Sequence, residues 1–253
     1  MIWNLNVGSF FNMQSIYLRN LLIMLFQKLI QASQDLQSIL EKTTDLKETH
    51  DFPWPAISYG PCRAFRRADL DIIDVRDKKK LWMLHLVVYP HYSDGSPIYG
   101  FDIISGPRKV TGAFHDFSPC DHNSSIITRF GENVKDFIPK KQRELPEWAK
   151  NIFSPFMIAA GNIREDSEEL DTLLALAIKN LQMHIDSTAN NWSPDEYYRS
   201  HQSWYVYNQR KNPHTARVME SLGIEKEQVR KYIDECLWPV EEAWMDSRPV
   251  LHN

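Results

Sequence analysis

Cysteine is scarce in this chain. The three present, Cys62, Cys120 and Cys236, lie far apart and fall into no CxxC or Cys/His spacing. That excludes an even disulfide framework and the common zinc patterns, and it suits a reducing cytoplasm. Positive charge is not in excess either. There are 29 Lys and Arg against 33 Asp and Glu, a formal net charge of -4, so a broad basic footprint for nucleic acid is not expected. No apolar run is long enough to cross a bilayer. The longest candidate, Leu21 to Phe26, is bracketed by Arg19 and Lys28, follows a stretch without a positive side chain, and precedes no small-residue cleavage site. Neither a signal peptide nor a membrane anchor is expected. A Gly-rich phosphate loop is missing too, which leaves nicotinamide or flavin cofactors without sequence support. Repeats, low-complexity segments and linkers are absent, so residues 1–253 read as a single domain, a cytoplasmic monomer, with residues 1–12 expected to be disordered.

Aromatic side chains are plentiful, with 8 Trp, 10 Tyr and 12 Phe, enough flat apolar surface for a core or for the walls of a pocket around a planar ligand. Leu22, Leu25, Phe26, Leu29 and Ile30 repeat at helical spacing and predict an amphipathic helix packed on a core. From Phe65 to Pro119 the period changes. DLDIIDVR, LWMLHLVVYP, IYGFDIISG and KVTGAFHDF are rich in β-branched and aromatic residues and separated by turn chemistry, a four-stranded antiparallel meander. Leu170, Leu174, Ala177, Ile178, Leu181 and Ile185 form a helical stripe. Ser193-Pro194-Asp195-Glu196 reads as the start of a helix running to about Lys211. Asn212-Pro213 starts another that Gly223 ends, and a last one covers roughly Lys226 to Trp238. Helices before and after a central sheet predict an α/β fold, a three-layer α/β/α sandwich around an antiparallel sheet.

Register arithmetic singles out a set of side chains. Facing residues of an antiparallel hairpin are equidistant from the turn centre and share a face. Centring the first turn on Lys78 puts Asp71 opposite His85; centring the second between Ser93 and Asp94 puts His85 opposite Asp102. Centring the third on Pro107 places Gly112 next in the row, leaving space above the sheet. The flanking Leu70, Ile72, Leu84, Leu86, Phe101 and Ile103 assign the opposite face to the core. Two carboxylates around an imidazole under a helix layer are a proton-handling cluster. Solvated strand polarity, a buried ion pair and a weak one-histidine metal site are the alternatives that the pattern leaves open.

The stretches LHLVVYP, SPIYGFDIISGP with the downstream DFSP, QRELPEWAKNIFS and QRKNPHTARVMESLG, in this order and spacing, resemble the ferredoxin-dependent bilin reductases over roughly Phe65 to Trp238. The resemblance implies biliverdin IXα as substrate, bound between sheet and C-terminal helices. It further implies single electrons from reduced ferredoxin, radical intermediates, and no bound metal or flavin. It makes His85 and Asp102 the central catalytic pair, with Asp102 the principal proton donor. Arg143 becomes a propionate partner, and Asn212 a residue near the bilin. His214 stands where a close family member has lysine, with Thr215 and Arg217 as substitutes for that second anchor. Trp148 and Gln209 are expected in the pocket wall. Ferredoxin docking is assigned to Lys78, Lys79, Lys80, Arg108 and Lys109, with Lys140, Lys141, Arg210 and Lys211 as further candidates. Asp71 occupies a glutamate position tied in the family to reduction of the D-ring vinyl group. The shorter side chain implies phycoerythrobilin, formed through 15,16-dihydrobiliverdin, as the product. Phycocyanobilin, or binding without catalysis, are the alternatives.

Overall fold

A computed structural model describes residues 7–188 and 196–239, with side chains from residue 24 onward. The first helix, α1 (Val7–Thr43), is longer than its sequence stripe. No proline occurs before Pro53 to break it, and it takes in residues 7–12, while residues 1–6 lie outside the described residues. Leu25, Phe26 and Leu29 are buried, and the same face continues through Ala32, Leu36 and Leu40. The side chain of Leu22 is not described, and Ile30 is half-buried.

The sheet is antiparallel and eight-stranded, in the spatial order β1 (Lys47–Thr49), β2 (Ala56–Tyr59), β3 (Arg67–Asp74), β4 (Trp82–Tyr89), β5 (Ile98–Ser105), β6 (Lys109–Ser118) and β7 (Ile158–Ala160), with β8 (Ile163–Arg164) paired to β6 beside β7. The predicted meander is β3 to β6. The four outer strands are too short to show alternation, which is why the sequence pattern does not reveal them.

Each face of the sheet meets its own helix layer. Leu70, Leu84, Leu86, Phe101 and Ile103 pack with α1, α3 (Ser125–Val134) and α5 (Glu168–Ser187) in one core. Ser167 caps α5 by accepting from Leu170 N, one of the orphan donors at a helix start. On the other face Ile73, Val87, Tyr89 and Ile98 meet α6 (Arg199–Gln209), α7 (Pro213–Ser221), α8 (Lys226–Tyr232) and a π-helical turn, Ile233–Leu237. The short α2 (Arg76–Lys79) forms the β3–β4 turn, and α4 (Glu147–Lys150) contacts α6. The result is the expected α/β/α sandwich.

Two helix starts behave differently. Asn212 caps α7, its side chain accepting from His214 N at 3.0 Å, and Gly223 takes a φ of 86° just beyond the helix end. The proposed start at Ser193, Pro194 and Asp195 lies outside the described residues, and α6 begins only at Arg199. Glu196 precedes that helix and pairs with Arg199 instead.

Leu36→Ala on the buried stripe of α1 should cost about 2–5 kcal/mol in urea unfolding. Met24→Ala, at a half-exposed position of the same helix, should stay within about 0.5 kcal/mol.

Candidate active site

Asp71 is the cross-strand partner of His85, and His85 of Asp102, so the three side chains share one face of adjacent strands. The fourth place in the row differs from expectation: Asp102 faces Phe114, and Gly112 faces Ile104. A bulge between Ile104 and Ser105 sets the β5–β6 register off the simple turn centre. Nor is the position above Gly112 open. A Cβ there would stand 2.7 Å from an Arg143 guanidinium nitrogen.

Burial turns this row into a coupled cluster. His85 Nδ1 is hydrogen-bonded to Asp102 Oδ1. The Asp71 carboxyl is almost completely enclosed, with the Tyr232 hydroxyl beside it. Loss of solvation pushes Asp71 up to about 7, the nearby His85 pulling it down and Asp69 pushing it up. Burial alone would lower His85, but the carboxylates of Asp102, Asp71 and Asp69 outweigh it and hold the imidazole above its ordinary value. Together these groups retain a proton near neutrality that they would release in water. Asp71 Oδ2 and His85 Nε2 are both buried without a hydrogen-bond partner in the protein, and both belong to residues that line a cavity over the row. Solvated strand polarity is thereby excluded for Asp71 and His85, whereas the Asp102 side chain is 41% exposed and opens to the solvent side of the row. Among the described residues no group of three or more His, Cys, Asp or Glu side chains is placed to hold a metal ion.

A cavity of about 190 Å³ lies over the row. Its floor includes Asp71, His85, Asp102 and Phe114; Arg143 stands at one side, and Gln209, Asn212, His214 and Thr215 come from the α6–α7 corner. Arg143 donates to Thr111 O at 3.1 Å and covers the Phe114 ring. Gln209 donates to the Tyr205 hydroxyl at 2.9 Å. Trp148 does not line the cavity; it is half-buried against the second core, because α4 lies against α6 and not over the row. Sequence reasoning missed Val218, Met219, Tyr232, Leu237 and Trp238. The helical spacing of Thr215, Val218 and Met219 was a usable signal, whereas Tyr232 reaches Asp71 only through tertiary packing.

The candidate docking cations fall into two groups. Lys78, Lys79, Lys80, Arg108 and Lys109 are exposed on the β3–β4 and β5–β6 turns, at one end of the sheet. Arg210 is committed elsewhere, donating to Trp238 O and pairing with Asp234, and Lys211 lies over the Tyr207 and Trp204 rings.

The chain and its fold have counterparts among known proteins. Residues 25–239 match the family model described as ferredoxin-dependent bilin reductase. Phycocyanobilin:ferredoxin oxidoreductase of Prochlorococcus marinus (strain MIT 9313) is 30% identical over 182 residues, spanning 70% of this chain and 67% of the relative. The enzyme of that name from Synechococcus elongatus (strain ATCC 33912 / PCC 7942 / FACHB-805) is 31% identical over 172 residues, 62% of this chain and 65% of the relative. A solved structure of a PcyX protein superposes with a TM-score of 0.59 at 29% identity, covering 84% of this chain and 99% of that one. Tomato phytochromobilin synthase, solved in complex with biliverdin, shares the fold with a TM-score of 0.62 at 14% identity, covering 82% and 80%. The fold and family together define an oxidoreductase. The chain belongs to the ferredoxin-dependent bilin reductases.

A carboxyl that titrates near 7 when folded and near 3.8 when unfolded binds more protons in the native state between those values, so its contribution to stability falls as pH rises through that window. Urea unfolding of wild type and Asp71→Asn from pH 4 to 7 should show the wild type losing stability relative to the variant.

Proposed function

We propose that the chain reduces biliverdin IXα, held over the sheet against α7 and α8, with electrons delivered singly by reduced ferredoxin. The observation that carries this reading is the His85–Asp102 contact beside a protonatable Asp71 on the floor of an apolar-walled cavity. Each electron added to the conjugated tetrapyrrole makes it more basic, and a radical intermediate advances only when a proton arrives at the right atom. Asp102 is the donor to the pigment. His85 holds the adjoining proton and orients Asp102, and Asp71 donates at the far end of the row. Arg143 suits a propionate bidentately, while His214 and Thr215 offer a weaker second anchor. Asn212 and Gln209 bound the same side of the cavity. Organic ligands generally occupy about 300–1,000 Å³, more than the present cavity, so the exposed side chains of Arg143 and His214 swing outward on binding.

Ferredoxins are acidic electron carriers, and the exposed Lys78–Lys80 and Arg108–Lys109 turns supply the complementary surface. The reading takes the chain as a cytoplasmic monomer that uses no bound metal or flavin. Aspartate at position 71 is one methylene shorter than glutamate, a displacement of roughly 1.5 Å that is comparable with the tolerance of proton delivery. Reduction at the D-ring vinyl group is therefore disfavoured, and the second step yields phycoerythrobilin through 15,16-dihydrobiliverdin.

Anaerobic incubation of the purified chain with biliverdin and reduced ferredoxin, followed by chromatography of the pigment, should give phycoerythrobilin. Unchanged biliverdin would leave only a bilin-binding protein, and phycocyanobilin would overturn the product assignment. Asp102→Asn should slow turnover by about 100-fold or more while still binding the pigment. Asp71→Glu should divert product toward phycocyanobilin.

A further inference from the structure

The Asp102 side chain is 41% exposed, but a pigment lying over the row would cover it, and a covered site that consumes protons has to be resupplied by another route. One row away from Asp71, His85 and Asp102 lies a second buried carboxylate, Asp69, on the same face of β3. Its cross-strand partner in β2 is Ser58, whose hydroxyl donates to Asp69 Oδ1 at 2.6 Å. The same hydroxyl oxygen lies 2.7 Å from Nε2 of His50. His50 stands in the β1–β2 connection at the edge of the sheet, its side chain 17% exposed. A chain of hydrogen bonds thus runs inward from a solvent-touching imidazole to a buried acid.

We propose that His50, Ser58 and Asp69 form a proton relay that recharges the catalytic row from solvent. The inference rests on the bilin-reductase reading and deepens it. The direction of the bonds is consistent with transfer: His50 Nε2–H gives its proton to Ser58 Oγ as the Ser58 proton passes to Asp69. His50 imidazolium becomes imidazole, Asp69 carboxylate becomes carboxylic acid, and solvent reprotonates His50. Asp69 stands next to Asp71 on one face and diagonal to His85 across the ladder; such diagonal positions are about 7 Å apart, so the relay needs one water to bridge to the row. Burial raises Asp69 above the usual carboxylate range even against Arg67, as an acid that holds a proton in passing requires.

Other groups around the relay define the rival role. Arg67 Nε donates to both Asp69 oxygens at 2.7 Å, and its Nη2 donates to Glu235 O and Cys236 O in the π-helical turn. Glu48 lies 3.9 Å from His50. Arg67 Nη2 also donates to Ser58 Oγ at 3.3 Å, so Ser58 belongs to both networks, whereas a carboxylate serving only to anchor Arg67 against the C-terminal helices would not need His50. His50 therefore separates a relay from a structural ion pair, because His50→Ala leaves Ser58, Arg67 and Asp69 in place, and Ser58→Thr keeps the hydroxyl that both networks use.

The test is single-turnover reduction of bound biliverdin by chemically reduced ferredoxin in H₂O and D₂O, with pigment affinity measured by absorbance titration. Both variants should reduce the pigment about tenfold more slowly, within the range of proton-transfer effects. Pigment affinity should be unchanged and the solvent isotope effect altered. Added imidazole should restore His50→Ala, and Ser58→Thr should retain most of the rate. Wild-type rates with an unchanged isotope effect in both variants would overturn the relay. A loss of affinity matching the loss of rate, without imidazole rescue, would overturn it as well. Wild-type turnover in the same assay checks the underlying activity separately, so failure of that activity is distinguishable from failure of the relay.

Discussion

The site depends on the cost of taking ionisable groups out of water. An isolated buried carboxylate or imidazolium is unfavourable by several kcal/mol, and the protein meets that cost by clustering opposite charges and retaining a proton among them. Asp102 contacts His85 directly, and Asp71 and Asp69 surround the imidazole on the same face. Neither acid nor imidazole behaves as it would alone: the acid stays protonatable near neutrality, and the base stays charged longer. This same poise is what stepwise reduction of a pigment requires.

The two faces of the sheet make that poise sustainable. Under α1, α3 and α5 the sheet is backed by a continuous apolar core, so the strands bearing Asp71, His85 and Asp102 are fixed in register. Over the row the cover is made of short elements, α7, α8 and the π-helical turn, which bring Tyr232 to Asp71 and leave a cavity beside it. Rigid floor and thin cover divide the work between holding the acids in place and admitting a large planar ligand. Arg67, pairing with Asp69 and reaching the π-helical turn, joins the buried charges to that cover.

Much of this was legible in the sequence, and the misses have physical causes. The row of Asp71, His85 and Asp102 followed from turn centres alone, because register propagates without error along regular hairpins. The row's next member came out as Phe114, two residues on, because the turn is centred between Pro107 and Arg108 rather than on Pro107, and a bulge then inserts one more residue. Tyr232 is about 160 residues from Asp71 along the chain, so no local pattern reveals their approach. Trp148 looked like a pocket wall by residue type alone, and the packing of α4 against α6 decided otherwise. Arg210 looked free for docking until Asp234 and the Trp238 carbonyl claimed it.

The most direct test of the electrostatic account is the protonation state of a single side chain. Nitrogen NMR of ¹⁵N-histidine-labelled protein, with His85 assigned by its absence in His85→Gln, reports imidazolium or neutral imidazole as pH is raised. The clustered carboxylates predict that His85 stays charged above pH 6.5, the ordinary histidine value, and that Asp102→Asn lowers its titration point. A His85 already neutral below that value, or one indifferent to Asp102, would contradict the account.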